Sequence, residues 1–486
     1  MPLSATYAPD PAFAKLGRDF ADPVEPAQFP KHILRRRNQA WAERVGLGEL
    51  TDAEWEACFG RFQPLERNQP QPLAMRYHGH QFRTYNPDLG DGRGFLYAQL
   101  RDDAGRLLDF GAKGSGKTLY SRTADGRLTL KGGVREVLAA EMLEAQGVYT
   151  SKAFALYETG EALHRHDEPS PTRSSVLTRL SHSHIRIGTF QRLAFFEQVD
   201  NMRLLVDHMA EYYFPELQQL NAEARPAALL QRACVELARL AASWMSAGFV
   251  HGVLNTDNLT LTGESFDYGP WRFLPTSDPN FTAAYFDETG LYSFGRQPEA
   301  VSWALAQFAG ALTLVSDVAP LEGALSEFAP AYQAALRQHM LQRLGLTPTD
   351  AASDLDFLQT LFAWMTENQI GWDQFFHDWF CGEASTQRAA ESPQAAAYAD
   401  ASFRPVRAGI EARSPVRPER LWHAYFQRAT PVSLVIDEVE GLWSPIAERD
   451  DWSAFEAKLA DIAQLGQALD IAAVRPRQES NLRPSP

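Results

Sequence analysis

His251-Gly252-Val253-Leu254-Asn255-Thr256-Asp257-Asn258 runs on through Leu259-Thr260-Leu261 and a Thr262-Gly263-Glu264 turn into Ser265-Phe266-Asp267-Tyr268-Gly269. The pattern reads as a helix end, a polar loop, a β-hairpin and a second polar site. Asn258 and Asp267 bring oxygen ligands to the two ends of that hairpin. Mg²⁺ takes oxygen, usually from one or two protein groups, and leaves the rest of its octahedron to phosphate and water. Either half alone reads equally as a polar turn in which Asn and Asp serve backbone geometry. Both halves in this order point to a metal–phosphate site.

Protein kinases set an Asn and the Asp of an Asp-Phe-Gly around such a hairpin. In their loop the base Asp stands two residues after the His. Val253 occupies that position here and accepts no proton, which leaves Asp257 as the nearby carboxylate. Upstream, Lys113 ends a strand-like run and Glu136 sits in the helix that follows, the order in which a kinase places its phosphate-binding Lys and the Glu that fixes it. Arg179 and Arg186 flank Ser181-His182-Ser183-His184, and arginine suits phosphate. Gly90-Asp91-Gly92-Arg93 is a tight turn before the first long strand, where a loop over the phosphates belongs. The pairs His78/His80 and His182/His184 have no third ligand at metal spacing.

Gly111-Ala112-Lys113-Gly114-Ser115-Gly116-Lys117-Thr118 also satisfies the P-loop pattern. A P-loop needs a helix to start at its Lys-Thr. The residues that follow reach an Asp125-Gly126 turn within barely two helical turns, so the sequence argues against that reading.

Strands are expected at 95–100, 106–110, 151–157 and 175–180, with a helix at 134–146 stopped by Gly147 and a polar loop at 164–173. Residues 1–70 should wrap this first lobe. From about 190 the texture turns helical, with helices at 191–215, 226–247, 298–316, 322–343 and 355–366. The Ala-, Ser- and Pro-rich stretch 383–418 reads as a mobile excursion. The division expected is a nucleotide-binding N-lobe over 1–190, a helical C-lobe with the catalytic loop over 191–470, and a disordered tail over 471–486.

With 486 residues, 45% of them hydrophobic, the chain can bury more than one core. Acidic residues outnumber basic ones 61 to 46, a net charge of −15, which disfavours nucleic acid and anionic membrane as partners. Three widely spaced cysteines form neither a disulfide framework nor a zinc site, and no secretory leader or spanning segment is read. A reducing, cytoplasmic location is expected.

Taken together, these residues resemble the selenoprotein O family of protein adenylyltransferases. The matching stretches are Tyr77 to Phe82, Leu89 to Arg93, Lys113 to Gly116, Tyr120-Ser121-Arg122, Ala124 to Arg127, Arg135-Glu136, His184 to Gly188, His251 to Asn258, Asp267 to Pro270 and Gly295 to Pro298. The chain departs from the family wording at Asn86-Pro87-Asp88 and Lys117-Thr118-Leu119. Beyond about 320 it shows little that matches, and it lacks the terminal Cys or selenocysteine pair of many members, so redox control through the tail is not expected.

The resemblance implies a two-lobed, kinase-like α+β fold that binds ATP flipped relative to kinases and transfers AMP to Ser, Thr or Tyr hydroxyls of proteins. It implies Asp257 as base, and Asn258 and Asp267 as ligands of Mg²⁺ or Mn²⁺. Lys113, paired with Glu136, would contact phosphate. Gly90, Gly92, Arg93, Asp125, Gly126 and Asp267 would contact the nucleotide, and Arg179 and Arg186 its γ-phosphate. Residue types alone leave open a kinase-like γ-phosphate transfer and a non-catalytic nucleotide-binding scaffold.

Overall fold

The computed structural model describes residues 4–166 and 168–471; the expected tail at 471–486 lies outside them apart from Ile471. The first lobe is built on a sheet of nine described strands. The N-terminal segment supplies β1 (Ala8–Pro9), β2 (Ala21–Pro23) and β3 (Ile33–Arg37), then the short helices α1 (Gln39–Arg44) and α2 (Asp52–Trp55). There follow β4 (Leu73–Met75), a separate hairpin β5 (Gly79–Gln81) and β6 (Thr84–Asn86), then β7 (Gly94–Arg101), β8 (Leu107–Lys113) and β9 (Leu128–Thr129). Helix α3 (Leu130–Ala145), β10 (Lys152–Leu163) and β11 (Thr172–Ser181) complete the lobe. The strand order is β2-β4-β7-β8-β11-β10-β3, with β1 on β7 and β9 on β11.

Residues 95–100 and all of β8 are buried, because both faces of the sheet are covered. On one face the N-terminal segment packs Trp55, Phe59 and Phe62 against Phe95, Tyr97, Phe110 and Phe154. The expected wrapping by residues 1–70 is therefore seen, and it adds edge strands as well. On the other face lies α3. Thr129 caps it, its hydroxyl accepting the amide of Gly132. The helix starts four residues earlier than the spacing predicts and takes in Gly132 and Gly133, which helix propensity disfavours. They are instead the site of close packing: a Cβ on Gly133 would lie 2.6 Å from Leu156 Cδ1 and 2.8 Å from Ser175 Oγ.

The second lobe is helical. The helix expected at 191–215 divides into α4 (Ile187–Phe195) and α5 (Val199–Tyr212), broken at Glu197, whose φ is +53°. Next come α6 (Arg225–Ala247), stopped by left-handed Gly248, and the strand pair β12 (Phe249–Val250) and β13 (Arg272–Phe273). Helix α7 (Gln297–Leu312) leads to α8 (Val318–Leu325) and α9 (Phe328–Leu344), which split the helix expected at 322–343. Helices α10 (Ala351–Glu367) and α11 (Trp372–Asp378) follow.

Two expectations are corrected here. The stretch 383–418 is folded, not a free excursion: it forms α12 (Thr386–Glu391), α13 (Ala395–Ala399) and α14 (Arg404–Glu411). Its Tyr398, Phe403, Val406 and Ile410 join the core around Phe357 and Trp364, and buried Arg413 pairs with Asp354 at 2.8 Å. Four apolar anchors spread among Ala and Ser suffice to dock it. The hairpin expected after Asn258 keeps its turn, Gly263 N–H bonding Thr260 O, but its arms pair outward. Thr260 bridges Arg186 and Ser265 bridges Thr150, both in the first lobe or at its exit.

The chain closes on itself. Helices α15 (Ile436–Arg449) and α16 (Ser453–Leu469) return to α3, with Lys131 on Glu440 at 2.7 Å and Gly466 so close to α3 that a Cβ on it would lie 3.4 Å from Ala145. Cys58, Cys234 and Cys381 are buried and form no disulfide. Among the described residues, no helix is long and apolar enough to cross a membrane.

Candidate active site

Lys113 is the last residue of β8, and its ammonium is buried between two carboxylates. Nζ donates to Glu136 Oε1 on α3 and to Asp267 Oδ1 at 2.7 Å. Arg179 Nη1 reaches the same Asp267 oxygen at 3.0 Å. The sheet register explains the convergence: Leu177 lies opposite Lys113 and Arg179 opposite Gly111, so Lys113 and Arg179 share a face. Asp267 turns its side chain into the cleft from a left-handed backbone, φ +62°. Burial acts to raise its pKa, but the charges of Lys113, Arg179 and Arg93 outweigh that and hold it well below the usual carboxylate range.

The polar loop lies beneath. Asp257 is 8% exposed, and its Oδ1 is buried without a hydrogen-bond partner among the described residues. Burial pushes its pKa up to about 6 against the opposing charge of Arg186. Asn258 Nδ2 donates to Val253 O at 3.0 Å, which fixes the amide and leaves its oxygen for other use. His251 is fully buried, and Nε2 lies 3.0 Å from Phe266 O. A carbonyl only accepts, so Nε2 carries the proton, and the loop is tied to the segment entering Asp267.

Arg186 is buried over the Tyr77 ring at 4.2 Å, with Nη2 3.5 Å from Asp91 Oδ1. Arg179, Arg186, His184 and Asp91 line a small cavity with Met75, Phe95, Leu96, Gly111 and Ala112. The Gly90–Gly92 turn is held by the segment after the glycine-rich stretch. A Cβ on Gly90 would lie 2.4 Å from the Tyr120 ring, and one on Gly92 2.8 Å from Tyr120 O. Thr118 Oγ1 donates to Asp91 O and Ser121 Oγ to Gly92 O, both at 2.5 Å. Lys117 is exposed in a loop and no helix begins there, so the P-loop pattern has no P-loop geometry.

The structure thus brings Lys113, Glu136, Arg179 and Asp267 into direct contact. Arg186 joins Asp91 nearby, and exposed Arg93 acts on Asp267 through its charge. Asp125 and Gly126 sit apart from that cluster: Asp125 pairs with Arg165 at 2.8 Å, and Gly126, φ +72°, lies where a Cβ would meet the Gly116 backbone at 2.3 Å. The His pairs form no metal site: His78 bonds Tyr85, His80 bonds Gln191, and His184 lies by Asp109. Among the described residues there is no group of three His, Cys, Asp or Glu disposed to hold a metal. Sequence reasoning missed Asp91 as the partner of Arg186, and Gln191 altogether, because nothing local marks a residue whose partner is remote.

The family description "Protein adenylyltransferase SelO" matches residues 3–463. A protein nucleotidyltransferase YdiU of Synechococcus elongatus is 44% identical over 474 residues, covering 93% of this chain and 94% of the relative. One from Trichormus variabilis is 48% identical over 76% of this chain and 75% of its own length, and one from Pseudomonas putida 37% identical over 76% and 74%. Similarity of this extent, over a two-lobed α+β fold with its charged cluster in the cleft, shows that the chain is a nucleotidyltransferase and belongs to the SelO family of protein adenylyltransferases.

Proposed function

We propose that the enzyme transfers AMP from ATP to Ser, Thr or Tyr hydroxyls of other proteins and releases pyrophosphate. The observation that carries this reading is the Lys113 ammonium held by Glu136 and Asp267, with Arg179 on the same carboxylate. Four charged groups locked together in a cleft are preorganised for a polyphosphate, so little reorganisation is needed when charge shifts.

Asn258 and Asp267 fit Mg²⁺ or Mn²⁺: both offer a hard oxygen, Asp267 stays ionised, and Lys113 and Arg179 both engage its Oδ1. When bound, the metal would neutralise phosphate charge. Lys113, Arg179 and Arg186 would hold phosphate oxygens, the last two at the γ-phosphate. Gly90, Gly92, Arg93, Asp125 and Gly126 would meet the rest of the nucleotide. Asp257 would take the proton of the acceptor hydroxyl as its oxygen attacks the α-phosphorus in line; the bond from Pα to the bridging oxygen breaks and pyrophosphate leaves. Val253 supports the assignment, since it cannot act as base. Buried cysteines without disulfides are compatible with work in the cytoplasm, and the net charge of −15 with protein rather than nucleic-acid partners.

Incubation of the purified protein and candidate substrates with ATP, read by mass spectrometry, tests the proposal. Label from α-labelled ATP should remain on protein and γ-label should not. Retention of γ-label with an added phosphate would replace this reading by a kinase reaction. Retention of neither, with nucleotide still bound, would favour a scaffold.

A further inference from the structure

We infer that the β5–β6 hairpin is a clamp across the two lobes that positions Asp257, with Thr256 and Gln191 as positioning residues. The inference rests on the proposed acceptor-activating role of Asp257. Asp257 Oδ1 has no hydrogen bond of its own among the described residues, so the carboxylate is placed by the backbone of its loop and by whatever walls it in. The hairpin does both. Thr256 Oγ1 accepts His80 N–H at 2.7 Å and donates to Gln191 Oε1 at 2.6 Å; Gln191 Nε2 then donates to His80 Nδ1 at 2.8 Å. Hairpin, catalytic loop and α4 form a closed ring of hydrogen bonds in which one hydroxyl serves as both donor and acceptor. One residue earlier, Asn255 Oδ1 accepts Phe82 N–H at 3.0 Å and the Tyr292 hydroxyl at 2.8 Å. Gly79 is the wall: a Cβ there would stand 3.1 Å from both Asp257 Oδ1 and Thr256 Oγ1.

The hairpin tip supplies an independent observation. Phe82 and Arg83 form the two-residue turn between β5 and β6, both left-handed at φ +48° and +64°. Such a turn prefers Asn-Gly, and two bulky residues are strained in it. Their side chains grip the second lobe instead: Phe82 packs 5.0 Å from the Tyr292 ring, and Arg83 pairs with Glu299 at 2.9 Å beside Trp303. A backbone cost kept at a contact between lobes marks the contact as the tip's purpose.

The test uses the full-length protein. Thr256→Val removes both hydrogen bonds at nearly constant volume and should lower kcat for AMP transfer about tenfold, through misplacement of the base, with KM for ATP unchanged. Thr256→Ser should restore kcat to within about twofold of wild type. The double variant Phe82→Asn/Arg83→Gly improves the turn while releasing the grip, so it should fold and still lose kcat. Amide hydrogen exchange at His80 and Phe82 should be slow in the wild type and fast in Thr256→Val. Wild-type kcat in Thr256→Val or in the turn variant, equal losses in Ser and Val, or unchanged exchange would each overturn the clamp. Should the wild type itself transfer no AMP, the proposed function fails, and the exchange comparison still decides whether the hairpin holds the loop.

Discussion

Removing the Lys113 ammonium would leave Glu136, 2% exposed, as an uncompensated buried charge. Breaking one side of such a pair costs more than the pair contributes, so Lys113→Met should destabilise the protein by about 3 kcal/mol. Adding Glu136→Gln to it should recover part of that loss, a non-additivity that denaturant titration of the two single variants and the double variant would measure. Asp257 calls for the opposite expectation. Asp257→Asn keeps the shape and removes the proposed proton acceptor, so kcat for AMP transfer should fall about 100- to 1,000-fold while calorimetry shows nucleotide binding retained. If Asp257→Asn transfers AMP at the wild-type rate, another group is the base. At this scale the contact of Lys113 with Glu136 and Asp267 was legible, because Lys, Glu and Asp at kinase-like order are local signals. Asp91 was not: it lies inside a quoted motif, yet its partner Arg186 is remote in sequence.

Between the lobes, Glu264 makes an element-level prediction. Its carboxylate accepts the His182 amide at 2.8 Å at the exit from β11, and burial raises its pKa to about 7. A carboxyl with a raised folded pKa binds its proton more tightly folded than unfolded, so its ionisation penalises folding as pH rises from the ordinary range near 4.5 through 7. Glu264→Gln keeps the acceptor oxygen and removes the penalty. It should match the wild type below pH 4.5 and exceed it by about 3 kcal/mol above pH 7, measured by denaturant unfolding across that range. Equal stability at both ends of the range would show that Glu264 is not buried as a carboxyl. Elements were read well where apolar spacing alone decides them, as in α6 and α10. The reading failed where tertiary contact overrides local preference: Gly132-Gly133 inside α3, the hairpin arms that pair outward, and the Ala-rich stretch anchored by Tyr398, Phe403, Val406 and Ile410.

At the scale of the molecule, one hydrophobic core runs from the sheet through α3 into the helices of the second lobe and on to Phe455, Ile462, Leu465 and Leu469 of α16. Helices α15 and α16 therefore support the helix that carries Glu136. The junction between them is held at Asp450, which accepts Arg35 at 2.8 Å and Arg173 at 2.7 Å. Deleting residues 431–486 should uncover that apolar face and yield an aggregating or molten product, detected by dye binding and loss of a cooperative unfolding transition. A shortened chain that unfolds cooperatively with wild-type stability would refute the support. ATP with Mg²⁺ at a hundredfold excess over its Kd should raise the unfolding free energy by about 2.7 kcal/mol, and Lys113→Met should remove that increment.

The order of lobes, the glycine turn, the Asn258–Asp267 spacing and the lysine–glutamate pair were determined by sequence alone, since each is a matter of residue type and short spacing. Only the folded chain decided that Arg186 meets Asp91, that Thr256 bonds Gln191 sixty-five residues away, that Lys117 is a surface residue, and that the last helices return to α3. Such contacts join segments whose neighbours in the chain carry no trace of the partner, so their geometry is set by how apolar faces pack and not by any local preference.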